Sequence, residues 1–224
     1  MPSKSVARAN QPPNMASASL RMNSLPHLLT QVRACTLCAA HLPLGLRPVL
    51  QMHSSARVLI AGQAPGRKVH ASGVPFDDAS GERLRAWLGI SRDTFYDPAQ
   101  VAILPMGFCF PGAGKSGDLP PRPECAPAWR APLLSHLKKI ELTLVMGQYA
   151  MGYHLPNEPG TLTDAVQAWR KLWPATLALP HPVRATNCGS SATRGLRRRC
   201  CRNCVNAWQR FWEAIQRAGD FLWC

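Results

Sequence analysis

A Gly- and Pro-rich turn directly follows a short apolar run, and it is the stretch of this chain best suited to hold a ligand. The run is Val58–Ala61, and the turn has the sequence Gly-Gln-Ala-Pro-Gly over residues 62–66. In open α/β sheets, ligands bind just outside the carboxyl ends of the strands, so the turn is a candidate binding site. Its Gln63 amide can orient a water molecule, although it cannot accept a proton.

An aromatic residue and two carboxylates lie on the loop that comes next. Phe76 follows a Gly-Val-Pro tripeptide, which places its ring on a loop beside the turn. A flat ring at that position can stack on a planar ligand, or it can fill the core beneath the loop. Asp77 and Asp78 are the nearest carboxylates. Their alternative role is to cap the helix that we expect from Gly81, a role for which Ser80 competes.

Cysteines occur in two pairs with the spacing of metal ligands. Cys35-x-x-Cys38 lies near the start of the chain and Cys201-x-x-Cys204 near its end. Four thiolates in two such pairs are typical of a structural zinc site. The pairs are much further apart than in a compact zinc ribbon, so a zinc-binding nucleic-acid module is the weaker alternative.

The elements that must position these residues alternate between strands and helices. Short apolar runs that end at Gly or Pro predict four strands, at Val58–Ala61, Val101–Leu104, Leu142–Met146 and Thr176–Leu179. Helical patterns occur at Leu25–Arg33, Gly81–Leu88, Pro127–Leu137 and Thr163–Leu172, the last capped by Thr161 or Thr163. This alternation predicts an α/β fold, a three-layer α/β/α sandwich around a central, mostly parallel four-stranded sheet.

Length and composition bound the class of protein. A chain of 224 residues, 46% of them hydrophobic, can bury a core and is most simply one main domain. It shows neither an apolar run long enough to span a bilayer nor a secretory signal pattern, which predicts a cytoplasmic protein without membrane contact. Residues 1–24, rich in Ser, Ala, Asn and Pro, predict a disordered leader or a misassigned start.

The charge of the chain is compatible with nucleic-acid binding. The formal net charge is +14, and cationic side chains that neutralise phosphates release counterions from DNA. Eight Arg from Arg184 onward stand against Glu213 and Asp220, so +6 of the +14 lies in the last part of the chain. The remaining +8 is basic, and a solvated surface explains it as well as a DNA-binding surface does.

The turn and the loop together carry a family resemblance. Residues 62–66 and Gly73-Val-Pro-Phe76 resemble the first motif of the uracil-DNA glycosylase superfamily, closest to its bacterial iron–sulfur-type and uncharacterised branches. The resemblance covers Leu25 to Pro182. It implies a base-excision repair enzyme that hydrolyses the N-glycosidic bond of uracil, or of a related damaged base, after the base is flipped out of DNA. We therefore expect DNA as the partner of a monomeric protein.

The resemblance assigns roles at the substrate. It implies that Phe76 stacks on the extruded base. It also implies that His181, the first residue of the second motif, stabilises the departing base as negative charge develops on it. Gln63 or Asp77 would hold the water. The turn residues that complete the substrate-binding set are Gly62, Ala64, Pro65 and Gly66.

Contacts with the DNA backbone are implied at two places. Lys115 and Arg122 belong to a Gly/Pro-rich loop, residues 112–123, which lies near the DNA backbone in the family. Pro182 follows His181 in the second motif, on a loop that enters DNA. The resemblance therefore implies DNA contacts for Lys115, Arg122 and Pro182.

The resemblance also implies a remnant iron–sulfur site. Cys35 and Cys38 match a cysteine pair that supplies two cluster ligands in one branch of the family, and Cys125 falls where a third ligand occurs. No cysteine lies between residues 126 and 187 to serve as the fourth, and Cys109 belongs to a different motif. Because three thiolates do not complete the usual set, we expect cytosolic thiols left from a lost cluster.

The chain departs from the family at two points. Classical members carry an acid in the first motif that positions or activates water, where this chain has Gln63 and Ala64. Well-characterised members read the uracil edge with an Asn after the second strand, where this chain has Leu-Pro-Met-Gly; Pro105 there has no N–H to donate. Both departures keep open the alternative of a non-catalytic or inactivated DNA-binding relative.

The resemblance stops at Pro182, where the second motif continues with a Ser in the family. A coding sequence compatible with Arg184–Leu196, read two bases later, gives Arg-Asn-Lys-Leu-Trp-Leu-Lys-Arg-Asn-Pro-Trp-Phe. Restoring one C upstream gives His-Pro-Ser-Pro-Arg, which resembles the second motif. We therefore interpret residues 183–224 as an out-of-frame tail that follows a glycosylase-like domain at residues 25–182, and we discount Cys201 and Cys204 as ligands for that reason.

Overall fold

Six strands organise the part of the chain that the computed structural model describes, residues 24–115, 117–158 and 160–182. In chain order they are β1 (Val58–Ala61), β2 (Val101–Ile103), β3 (Ala113–Gly114), β4 (Gly117–Asp118), β5 (Leu142–Met146) and β6 (Thr176–Leu179). The four strands expected from the sequence are all present, with β2 one residue shorter than expected. The leader and tail predictions concern residues almost entirely outside the described ranges.

Eight α-helices accompany the strands within the same ranges. They are α1 (Leu25–Arg33), α2 (Arg67–Ser72), α3 (Ala79–Leu88), α4 (Arg92–Tyr96), α5 (Cys125–Leu134), α6 (Gln148–His154), α7 (Leu162–Gln167) and α8 (Trp169–Leu172). None of these described helices has both the length and the apolar character to cross a membrane.

The central sheet contains four strands in the order β2-β1-β5-β6, and every neighbouring pair is parallel. Val58 of β1 lies opposite Val101 on one side and Leu142 on the other. All four residues of β1 are buried, which explains why this strand is a continuous apolar run rather than an alternating one. The chain moves to one side of β1 for β2 and to the other side for β5, so the strand order reverses at the carboxyl end of β1.

Helices cover both faces of the sheet, and alternate residues of β1 face opposite layers. Val58 and Ile60 pack in one core cluster with Leu84 and Leu88 of α3. Leu59 packs in a second cluster, with α1 residue Val32 and α5 residue Leu133. The expected three-layer α/β/α sandwich is therefore confirmed, and its sheet is entirely parallel.

Differences between the expected and the observed helices have local causes. Helix α3 begins at Ala79 rather than Gly81, because the Asp78 carboxylate accepts a hydrogen bond from the Gly81 N–H and caps the helix. The segment expected as one helix over 163–172 is two helices that meet at Ala168. Thr161 is the cap of the first, in a reciprocal capping box with Asp164.

Candidate active site and cysteine cavity

The turn after β1 is fixed to the loop after β2 by backbone hydrogen bonds. The Met106 N–H donates to the Gly62 carbonyl and the Gly107 N–H donates to the Gln63 carbonyl, each over 2.9 Å. In a parallel sheet all strands end at the same edge, so these loops lie beside the residues that follow β6. We call this edge, with the side chains around residues 62–66, the edge site.

Phe76 occupies a strained backbone position in the edge site. Its φ of 56° makes it the one residue other than glycine with a positive φ in the described ranges. Strain of this kind in a bulky residue is characteristic of functional positions. The Phe76 ring lies edge-on to Phe95 at 6.0 Å between centroids, and its Cζ approaches within 3.7 Å of the place where a Cβ on Gly62 would lie. The half-buried ring is thus braced on one edge by the core and borders the turn.

Gly81 makes the Phe76 conformation feasible. A Cβ on Gly81 would lie 1.8 Å from the Phe76 carbonyl oxygen. No side chain can occupy that space, because the obstructing atom belongs to the backbone. A glycine in the first turn of α3 therefore lets the Phe76 loop lie directly against the helix.

The adjacent carboxylates Asp77 and Asp78 serve different purposes. Asp77 pairs with Arg92 of α4 at 3.4 Å, and its side chain is 35% exposed, so it lies on the α4 side of the loop. Asp78 accepts hydrogen bonds from the Gly81 N–H at 3.0 Å and from the Ser80 hydroxyl at 2.5 Å. Of the two alternatives for these residues, Asp78 is the helix cap, and Ser80 lies inside the helix.

The turn itself is partly covered. Gly62 and Pro65 are buried, whereas Gln63, Ala64 and Gly66 are half-buried. The Gln63 side-chain amide donates through Nε2 to the Leu119 carbonyl at 3.1 Å, which ties the turn to the loop after β4. The other polar atom of the amide, Oε1, is the hydrogen-bond acceptor of the Gln63 side chain.

Asp118, a residue that the sequence interpretation missed, is brought to the same place. It ends β4, the second strand of a small antiparallel hairpin in which Ala113 lies opposite Asp118. A Cβ on Gly66 would lie 3.3 Å from Asp118 Oδ2 and 4.0 Å from Asp78 Oδ2, so both carboxylates flank the end of the turn. The sequence signal for Asp118 is an acid inside the Gly/Pro-rich loop, beside the basic residues Lys115 and Arg122.

The charges near Asp118 come from three other elements. Partial burial raises the pKa of the Asp118 carboxyl above its ordinary value of 3.8; His181 and Arg67 oppose the rise and Asp78 adds to it. His181 therefore shares an electrostatic environment with Asp118, although β6 lies two strands away from β1 in the sheet. The edge site combines a ring, an amide, two carboxylates and an imidazole.

The His181-Pro182 turn is held by α3. The Arg83 guanidinium donates through Nη1 to the Pro182 carbonyl at 2.6 Å. His181 is half-buried, and the ring of Pro182 is buried rather than exposed. The expected DNA contact of Pro182 remains a prediction, with the residue placed beneath the surface in this structure.

The two cationic residues expected at DNA lie in different surroundings. Lys115 is exposed in the turn of the β3–β4 hairpin. Arg122 pairs with Glu124 at 2.8 Å and lines a cavity on the α1 and α5 side of the sheet. This ion pair holds the pKa of Glu124 below its ordinary value through the hydrogen bond that Arg122 donates. Lys115 thus lies on the hairpin that carries Asp118 to the edge site, whereas Arg122 lies against the cysteines.

Four free cysteines line that cavity: Cys35, Cys38, Cys109 and Cys125. We call it the cysteine cavity. Three of the four were singled out from the sequence, and Cys109 was set aside because it follows β2 in a different motif. The loop after β2 bends from the edge site, where Gly107 bonds Gln63, to this cavity, and so it carries Cys109 there.

The thiols of the cysteine cavity are held in an apolar setting. The Trp129 indole N–H donates to Cys35 Sγ at 3.2 Å, and the Phe108 backbone N–H donates to Cys125 Sγ at 3.4 Å. Burial raises the pKa values of Cys38 and Cys109, and it raises that of Cys125 to about 12. These groups are therefore neutral thiols at pH 7 unless a bound metal displaces their protons.

A buried cation lies between the two regions. Arg130 of α5 is 1% exposed, and its Nη1 donates to the carbonyls of Leu104 and Pro105 at 3.0 and 3.1 Å. Its Nη2 contacts His154 Nε2, and burial lowers the pKa of His154 to about 4, with the Arg130 charge adding to the effect. Arg130 thus binds the backbone carbonyls of the two residues that follow β2.

Comparison with known protein families agrees with the fold. Residues 51–209 match the Uracil DNA glycosylase superfamily. The match spans most of the chain, and the chain therefore belongs to this superfamily, which supports a function of the DNA glycosylase type. The match continues past Pro182, where the motif resemblance ended, into residues interpreted as out of frame. The frameshift interpretation and the assignment to one branch of the family remain predictions.

Proposed function

We propose that this protein removes uracil, or a related damaged base, from DNA by hydrolysing the N-glycosidic bond. The observation that carries the proposal is the composition of the edge site. The superfamily's first-motif turn, the strained Phe76 beside it and the His181 turn lie along one edge of the sheet. The superfamily acts on DNA, and a chemical step on a base requires the base to leave the duplex.

The residues of the edge site suit the separate parts of that reaction. Phe76 presents a braced ring on which an extruded base stacks. His181 donates a hydrogen bond to the base oxygen as the C1′–N bond breaks and the electron pair leaves with the base. Gln63 holds the attacking water through Oε1, because its Nε2 is already bonded to Leu119. Asp77 suits that role less well, since it is paired with Arg92.

The cysteine cavity suits an iron–sulfur cluster better than a single ion. Within the described ranges no group of three or more His, Cys, Asp or Glu side chains is arranged to hold a metal ion. A mononuclear thiolate site needs all its sulfurs within about 2.3 Å of one point. A cluster distributes four cysteines over several irons, and Cys35, Cys38, Cys109 and Cys125 are four thiols around one cavity. When bound, the cluster would cross-link the segment before β1 to α5.

The cluster has a direct test. The purified chain should show broad visible absorbance and bound iron, and both should be lost in Cys109→Ser. Lys115→Ala, in the hairpin turn away from the cavity, is the matched control and should keep them. Thiols without iron in anaerobically purified protein would support the loss of the cluster that the sequence suggested.

Base release from oligonucleotides tests the function itself. Oligonucleotides carrying one uracil, hypoxanthine or thymine are incubated with enzyme in excess, and abasic sites are detected by alkaline cleavage. The chain as written and a frame-restored version are compared side by side. We expect release of uracil or hypoxanthine and none of thymine.

The alternative, a DNA-binding relative without catalysis, is favoured by one observation. Gln63 stands where the family has an acid, and its amide is bonded to Leu119. Tight binding to all oligonucleotides in the panel without any abasic product would establish that alternative. Cleavage by the restored chain alone would support both the glycosylase proposal and the frame error.

A further inference from the structure

Hydrolysis at the edge site requires a group that accepts a proton from water. Gln63 cannot do so, because an amide oxygen is not basic near neutral pH. The carboxylates of the loop after the turn are committed elsewhere, Asp77 to Arg92 and Asp78 to the first turn of α3. The site as assigned from the motifs therefore lacks a general base.

The β3–β4 hairpin brings a carboxylate to that position. Asp118 Oδ2 lies 3.3 Å from the point where a Cβ on Gly66 would be, so the carboxylate rests against the backbone of the turn. Among the described residues nothing donates a hydrogen bond to it, in contrast to Asp78. Its charged neighbours are Arg67, Asp78 and His181, the residue proposed to hold the departing base.

The hairpin is anchored next to this carboxylate. The Leu119 carbonyl accepts from Gln63 Nε2 at 3.1 Å, and the Leu119 N–H donates to the Gly112 carbonyl at 2.9 Å. Asp118 is the residue immediately before Leu119, so the Gln63 amide holds its position directly. A glutamine in the first motif is then a means of placing an acid that comes from another part of the chain.

We propose that Asp118 is the catalytic base of this enzyme and that Gln63 is a positioning residue for it. The inference rests on the proposed function. In the step, the water oxygen forms a bond to C1′ of the sugar and the C1′–N bond breaks. The base leaves with the electron pair, held by His181, and Asp118 accepts the proton that the water loses.

The environment of Asp118 agrees with that role. Its carboxylate is partly buried against the turn, and this raises its pKa above the ordinary value, with Asp78 adding to the rise. Arg67 and His181 oppose the rise, because nearby cationic groups favour the ionised carboxylate. A carboxylate that is both ionised and more basic than usual is the better proton acceptor.

Single-turnover base release by Asp118→Asn tests the inference. We expect the rate of base release to fall by about 100-fold or more. The affinity for an oligonucleotide with a hydrolysis-resistant 2′-fluoro nucleotide should stay within about threefold of the wild-type value. Wild-type rates should rise with pH as Asp118 ionises, and the variant should lose that limb. Asp93→Asn, an exposed carboxylate of α4, is the matched control and should leave the rate unchanged.

Chemical rescue distinguishes a catalytic base from a residue that only maintains the structure of the site. In Asp118→Ala, added sodium formate should restore part of the rate, whereas sodium chloride at equal ionic strength should not. If wild-type protein releases base and Asp118→Asn does so within threefold of its rate, on the order of experimental scatter, the inference is wrong and the glycosylase proposal stands. If neither the chain as written nor the frame-restored chain releases base from any oligonucleotide, both are wrong.

Discussion

The edge site and the cysteine cavity lie on either side of one short loop, and they are built in opposite ways. The edge site collects charged and polar groups from four separate segments, among them Gln63, Asp118 and His181. The cysteine cavity collects four thiols, two of which accept hydrogen bonds from Trp129 and Phe108, and Arg122 is the charged group in its wall among the described residues. The difference indicates that the first region is suited to chemistry on a substrate and the second to holding the fold or a cofactor.

The largest effect is expected from a side chain added at Gly81, which lies directly against the Phe76 loop. Gly81→Ala places a Cβ 1.8 Å from the Phe76 carbonyl oxygen, so the loop must move. We expect loss of base release and a decrease of about 3 kcal/mol or more in the free energy of unfolding. Chemical denaturation and the base-release assay measure the two effects.

Gly152 of α6 is the matched control for that change. A Cβ there meets nothing within 4 Å, and the residue is helical. Gly152→Ala should stabilise the protein by about 0.5–1 kcal/mol and leave base release intact. Equal destabilisation by both changes would show that the Phe76 loop is not tightly seated on α3.

The next largest effect is expected at the leaving group. His181→Ala removes the proposed donor to the departing base and should lower the single-turnover rate by about 100- to 1,000-fold. The cysteine cavity should be unaffected, so the visible spectrum of any bound cluster should not change. His53→Ala, an exposed histidine before β1, is the control. A rate unchanged by the loss of His181 would remove this residue from the mechanism.

We expect acid to lower the stability of the folded protein through one buried histidine, His154. The pKa of His154 is lowered from 6.5 to about 4 in the folded protein by burial and by Arg130. Between these values the unfolded chain binds a proton that the folded chain does not, so stability falls as pH decreases. The loss is about 3 kcal/mol from pH 6.5 to pH 4. Urea unfolding at several pH values measures it.

A variant isolates that contribution. His154→Gln removes the titrating group while keeping an amide that can face Arg130, so its stability should fall less between pH 6.5 and 4. His27→Gln, at an exposed position of α1, should retain the full pH dependence. Identical pH profiles for wild type and His154→Gln would assign the acid sensitivity to other groups.

The smallest expected effect is on DNA binding, and it compares Lys115 of the β3–β4 hairpin with Arg122 of the cysteine cavity. Lys115→Ala should weaken DNA binding a few-fold and reduce the salt slope by about one. Arg122→Ala should leave the slope unchanged, because Arg122 is paired with Glu124 at the wall of the cysteine cavity. Binding isotherms at several salt concentrations give both slopes. A lowered slope for Arg122→Ala would extend the DNA surface to the cavity.

The sequence predicted the scaffold better than the site. β1, β5 and β6 begin and end where their apolar runs do, because strands buried on both faces need continuous hydrophobic sequence. Helices α2, α4 and α6 were missed, since helices of five to seven residues show too few turns to establish a period.

The sequence predicts the site residues that lie in or beside a motif, but not those that the fold brings to the site from elsewhere in the chain. Gln63, Phe76 and His181 were singled out because they lie within or beside motif residues. Asp118 and Cys109 reach their positions through a hairpin and a bent loop, and no local pattern encodes those distances. Arg130 was missed for a related reason: its carbonyl partners lie 25 and 26 residues earlier in the chain.

Helix α3 joins the two halves of the edge site mechanically. Its first turn is capped by Asp78, two residues after Phe76, and Arg83 on its next turn holds the Pro182 carbonyl. The Phe76 loop and the His181-Pro182 turn are therefore both attached to α3. Under the proposed function, the ring on which the base stacks and the histidine that stabilises its departure therefore rest on one helix.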